Sequence, residues 1–73
     1  MNKTTFEIIS SIKKEELEYY KAKLKEFEKT ISSLKKRNPN LKIPLSFIKN
    51  GLYYSKNIRR LEKELKGLDE NEN

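Results

Sequence analysis

The sequence predicts an all-α protein, a long N-terminal helix followed by a second helix folded back antiparallel as a helical hairpin. Three observations carry this. No Gly or Pro interrupts the chain from Thr4 to Arg37. Apolar residues on both sides of residue 40 recur at alternating steps of three and four, the spacing of one helix face. Between these halves, Asn38-Pro39-Asn40 and Pro44 supply the stop and restart that a hairpin needs.

The first helix is expected from Thr4 to Arg37. Thr4-Thr5-Phe6-Glu7 fits a capping box, with Thr4 as N-cap and Glu7 reaching back to its amide. Leu17, Tyr20, Leu24, Phe27, Ile31 and Leu34 form a clean a/d stripe over three heptads. Upstream of Leu17 strict heptads would use Lys13 and Ser10, whereas the apolar residues are Ile12, Ile9 (or Ile8) and Phe6. One unbroken helix is the favoured reading. The a/d stripe is expected to be an oligomer seam that pairs one protomer with another in a coiled-coil-like dimer or small bundle.

Leu41-Lys42-Ile43-Pro44 reads as a short extended connection, and the second helix is expected from Pro44 or Leu45 to Lys66. Ile58, Leu61 and Leu65 would pack it against the first helix. Gly51 lies inside it, either as a tolerated helix glycine or as the end of a short helix at Asn50-Gly51. Gly67 is a natural C-cap, and residues 67–73 are expected to be an acidic, disordered tail after a single helical domain of residues 1–66.

Composition narrows the function. The chain has 73 residues, no Cys, no His and no Trp. Disulfides and thiolate metal sites are therefore absent, and so are the commonest general base and metal ligand. With no glycine-rich loop either, Glu15, Glu16 and Glu18 read as a solvated face, so a non-enzymatic protein without cofactor or metal is expected. No apolar run approaches a signal peptide or a membrane span, which points to a cytoplasmic protein. Many Lys, Glu, Asn and Ile beside few Ala and Arg match AT-rich coding, as in a bacterium, plasmid or phage of low GC content.

Charge is unevenly distributed. Residues 29–61 hold nine basic residues and no Asp or Glu, residues 1–28 are balanced, and residues 62–73 sum to −3. A one-signed segment inside a balanced sequence points to a polyanionic partner. The candidate nucleic-acid-binding residues are Lys35, Lys36, Arg37, Lys42, Lys49, Tyr53, Lys56, Asn57, Arg59 and Arg60, with Lys63 following. Basic, amide and aromatic side chains together are what phosphates and stacked bases need. Lys35, Lys36 and Arg37 also suit the negative end of the first helix dipole. Tyr53-Tyr54 also suits packing on the long helix.

Residues Ser46 to Glu62 loosely resemble a helix-turn-helix: a short apolar helix, Gly51 at the turn, Leu52, then a basic helix. Lys56, Asn57, Arg59 and Arg60 would then face the major groove. Ile58 departs from that pattern, falling seven residues after Gly51 instead of six. The expected function is a small regulatory or accessory nucleic-acid-binding protein, DNA or RNA, working as a homo-oligomer. The rival is an inhibitor or adaptor that docks its hairpin on a partner protein. A membrane-surface role is disfavoured by the tyrosines on a heptad-spaced face.

Overall fold

The computed structural model describes residues 2–72, with side chains up to Asp69. It consists of two helices, α1 (Lys3–Arg37) and α2 (Leu45–Glu72), packed antiparallel as a rod of 54 × 17 × 15 Å. No strand is present among the described residues, and no helix there is long and apolar enough to cross a membrane.

The start of α1 differs from expectation. Asn2, not Thr4, is the N-cap: its Oδ1 accepts from the Thr5 amide at 2.7 Å, and its carbonyl accepts from Phe6 N–H at 3.0 Å. Asn is at least as good a cap as Thr, so the helix gains residues at its front. At the other end the Asn38 amide donates to the Leu34 carbonyl, and the Leu41 amide to that of Asn38. Asn38 Oδ1 also accepts from the Asn40 amide at 3.3 Å, which folds the turn around Pro39. The Pro44 carbonyl receives the amides of Phe47 and Ile48 and so opens α2.

The heptad register continues upstream of Leu17 to Phe6, which is half-buried, as is Ile9 beside it. Ser10 is buried at 7 % exposure and Lys13 is half-buried, while Ile8 and Ile12 are left in solvent. Backbone geometry, not local polarity, decides which residues face α2. The stripe expected as an oligomer seam closes on α2 of the same chain. Tyr20 meets Tyr53 and Tyr54, with ring centroids 6.0 and 6.5 Å apart. Phe27 stacks on Phe47 at 4.8 Å. Leu17 is 8 % exposed, Leu24 and Ile31 are half-buried, and Leu34 is exposed. From α2, Leu61 is fully buried and Ile58 and Leu65 are half-buried.

Gly51 does not break α2. The helix passes through it, and no glycine takes a positive φ. The helix-turn-helix arrangement is therefore overturned, because the turn it needs at Gly51 is helix. Gly51 is needed for another reason. A Cβ built on it would lie 2.4 Å from Phe27 Cε1 and 2.6 Å from Cζ. The Phe27 ring rests where that methyl would be. Gly67 does not cap α2 either, since the helix runs on to Glu72, and residues 67–72 of the expected tail have helical backbone. Without Pro nearby, a single glycine costs only about 1 kcal/mol in a helix interior. Asn73, the last residue of that tail, lies outside the described residues.

The two glycines should respond oppositely to the same change. At Gly67 nothing lies within 4 Å of an added Cβ, so Gly67→Ala should stabilise by about 0.5–1 kcal/mol through helix propensity alone. Gly51→Ala has the same propensity gain but must expel the Phe27 ring, so the melting temperature followed by circular dichroism should fall. In a Phe27→Leu background much of that loss should disappear. A rise in melting temperature for Gly51→Ala in the native background contradicts the close approach.

Candidate nucleic-acid interface

The outward face of α2 is built by repetition. A helix turns ~100° per residue, so residues seven apart nearly superimpose. Leu45, Leu52, Arg59 and Lys66 form one such row, and Lys49, Lys56 and Lys63 form a second beside it. Ile48 and Arg60 flank them. All of these residues are exposed, and together they occupy a sector of about 120° opposite the buried stripe. From Leu45 to Asp69 no acid falls in that sector. Its cations run from Lys49 to Lys66, about 26 Å along the axis at 1.5 Å per residue. The end nearest the turn is mixed, with Leu45, Ile48 and Leu52 exposed around Lys49.

The structure brings some expected site residues together and separates others. Lys49, Lys56, Arg59 and Arg60 share the outward face. Lys42 is exposed in the turn, and Lys35, Lys36 and Arg37 fill the exposed last turn of α1. Consecutive residues point ~100° apart, so those three fan around the axis and form no single face. Asn57 stands apart from its neighbours: its Nδ2 donates to the Tyr53 carbonyl at 2.9 Å, and its Oδ1 accepts from Arg60 Nη2 at 3.2 Å. Its amide is thus already engaged along the edge of the hairpin. Lys66 belongs to the face, although it lies beyond the acid-free segment. Its signal is the seven-residue interval from Arg59, which a boundary drawn at the first acid, Glu62, conceals.

Arg60 is not a free cation. Its Nη1 donates to Glu64 at 3.2 and 3.0 Å, and Glu64 also receives the Lys13 ammonium at 2.9 Å. The Lys13 hydrogen bond holds the Glu64 carboxyl below its ordinary value, with the positive charges of Lys13 and Arg60 adding to it and partial burial opposing. This three-residue bridge ties α1 to α2 and directs Arg60 toward the side of the rod.

The same side carries all four tyrosines of the chain. Tyr19 and Tyr20 have centroids 5.3 Å apart, and Tyr53 and Tyr54 5.9 Å apart, both edge to face. The hydroxyls of Tyr20 and Tyr53 lie 3.5 Å apart. That hydrogen bond, more than burial, raises the Tyr20 phenol above its ordinary value. Tyr53 and Tyr19 remain 56 % and 57 % exposed, and the Lys23 ammonium sits 5.6 Å from the Tyr19 ring centre. Beyond Tyr54 the edge becomes a shallow groove lined by Lys23, Glu26, Phe27, Thr30, Phe47 and Asn50. No group of three or more metal-ligating side chains occurs among the described residues.

No protein-family model matches this chain, and neither a curated protein nor a solved structure resembles it at a significant level.

The Glu64 bridge gives a pH dependence of defined sign. A carboxyl whose value is lowered by folding adds stability above its unfolded value and loses it as the pH falls through the folded one. The melting temperature should therefore drop as the pH is taken from 7 to below the ordinary Glu value of 4.5. Glu64→Gln should start lower at pH 7 and lose less in acid. Equal acid losses in the two proteins contradict a load on this bridge.

Proposed function

We propose that the chain binds nucleic acid through the outward face of α2, with the turn and the end of α1 adding charge. The observation that supports this most strongly is the acid-free sector from Lys49 to Lys66. Exposed cations on a helix ordinarily alternate with acids, as they do along α1, where six Lys and six Glu share residues 1–28. On the α2 face Lys49, Lys56, Arg59, Lys63 and Lys66 have no acid inside their sector, and Glu62 stands at its border beside Arg59 and Lys66. Gathering them against their mutual repulsion is unfavourable in the free protein, and a polyanion removes that repulsion. Such binding releases counterions and so weakens steeply with salt.

The alternative, docking on a protein, is favoured by a different observation. Leu45, Ile48 and Leu52 stand exposed in a row at three- and four-residue spacing. That is the pattern of anchors on a helix that lies in a groove. An oligomer of this chain would need such a surface too, because most of the stripe, from Leu17 to Ile31, is already turned toward α2.

Binding to labelled duplex and single-stranded oligonucleotides over a salt series tests the main reading. Charge reversal at Lys56, Arg59 or Lys63 should weaken binding and lower the slope of log affinity against log salt by about one for each phosphate no longer neutralised. Leu52→Ser should leave nucleic-acid affinity nearly unchanged. Absence of binding at about 50 mM salt, or binding without a salt slope, overturns the proposal. A dominant effect of Leu52→Ser on capture of a nuclease-resistant protein partner favours the alternative.

A further inference from the structure

We propose that the nucleic acid engaged is single-stranded, its phosphates following the α2 cations while its bases stack on Tyr53 and Tyr19 at the hairpin edge. This rests on the nucleic-acid reading above and adds the kind of strand. The supporting observations are the placement and exposure of the tyrosines. Tyr53 lies four residues after Lys49, three before Lys56 and seven before Arg60, so on the helix surface it adjoins the cation rows. Its ring is held edge to face by Tyr20 and Tyr54, an arrangement that fixes its orientation and leaves more than half of the residue open. Tyr19 on α1 is held edge to face by Tyr20 alone, with the Lys23 ammonium 5.6 Å from its ring centre as its own neighbouring cation. Exposed aromatics beside a basic track are the elements with which single strands are bound, because an unpaired base offers its flat face.

A duplex could use only part of this surface. Its bases are stacked on one another and present only their edges in the grooves. The outward face of α2 carries no Asn, Gln, Ser or Thr between Leu45 and Lys66 to read such edges. Of the two amides bordering that face, Asn57 already bonds the Tyr53 carbonyl and Arg60, and Asn50 lies further round, in the groove beside Tyr54. A duplex would thus be held by its phosphates alone, and the tyrosine edge would have no role in holding it.

The test compares an oligothymidylate of about 20 nucleotides, its oligouridylate counterpart and a DNA duplex of equal length, by fluorescence anisotropy at low salt. At least one of the single strands should bind roughly ten-fold or more tightly than the duplex. Tyr53→Leu and Tyr19→Leu should each weaken single-strand binding several-fold and leave duplex binding unchanged. Tyr53→Phe, which keeps the ring and removes only the hydroxyl, should retain single-strand affinity, with circular dichroism confirming that each variant remains helical. Duplex binding as tight as that of both single strands, or leucine variants that bind every probe as the native protein does, overturns the single-strand assignment while leaving the basic-face reading standing. Failure to bind any probe removes both.

Discussion

The Phe27 ring lies against the backbone of Gly51, and the hairpin depends on that approach. Any side chain at residue 51 would put a carbon within 2.4 Å of the ring. The ring is held from its other side by Phe47, stacked at 4.8 Å. This pairing also fixes the register. Lys13, Tyr20 and Phe27 lie seven apart on α1, and they meet Glu64, Tyr53 with Tyr54, and Phe47 with Gly51 in reverse order along α2. Sliding α2 by one heptad would place Pro44 or Ile58 opposite Phe27. Neither leaves room for the ring, so the alternative registers that a plain heptad repeat permits are disfavoured.

Two helices can bury only one stripe each. Leu61 and Leu17 are the only large apolar residues taken wholly or nearly out of water among the described side chains. The remainder of the interface is half-buried aromatic and aliphatic side chains, an ion pair and a polar pair of positions at Ser10 and Lys13. Such a core leaves little stability in reserve, as is general for chains of this size. It also leaves most of each helix surface free of packing duties. The α2 cations and the seam occupy opposite sides of one helix, so the residues that define the charged face can change without touching those that hold the hairpin together.

Much of this was legible in the residues themselves. The two helices and the turn follow from uninterrupted periodicity and two prolines, signals that act locally. The burial of Ser10 and Lys13 was also implied by strict heptads, but the apolar character of Ile8 and Ile12 argued the other way. Polar character gave way because each side chain's direction is set by the helix and not by its own preference. Gly51 could be read from sequence only as a helix cost or a helix end. Its actual role, room for a ring from the other helix, depends on a residue 24 positions away and cannot be seen locally. The engagement of Asn57 with Tyr53 and Arg60, and that of Arg60 with Glu64, were likewise invisible in a list of basic residues. The seven-residue rhythm from Lys49 to Lys66 was fully present in the sequence, but a boundary set by the first acid cut across it.

The tyrosine cluster has a consequence for how this molecule can be observed. The chain has no Trp, so its near-ultraviolet absorption and emission come chiefly from four tyrosines, all gathered at one level of the rod. Neighbouring rings 5.3–6.5 Å apart are close enough to exchange excitation, so they behave optically as one centre. One phenol pair within it shares a hydrogen bond. The protein thus carries a built-in optical probe that reports on a single place, the junction where the two helices meet beside the cations of α2.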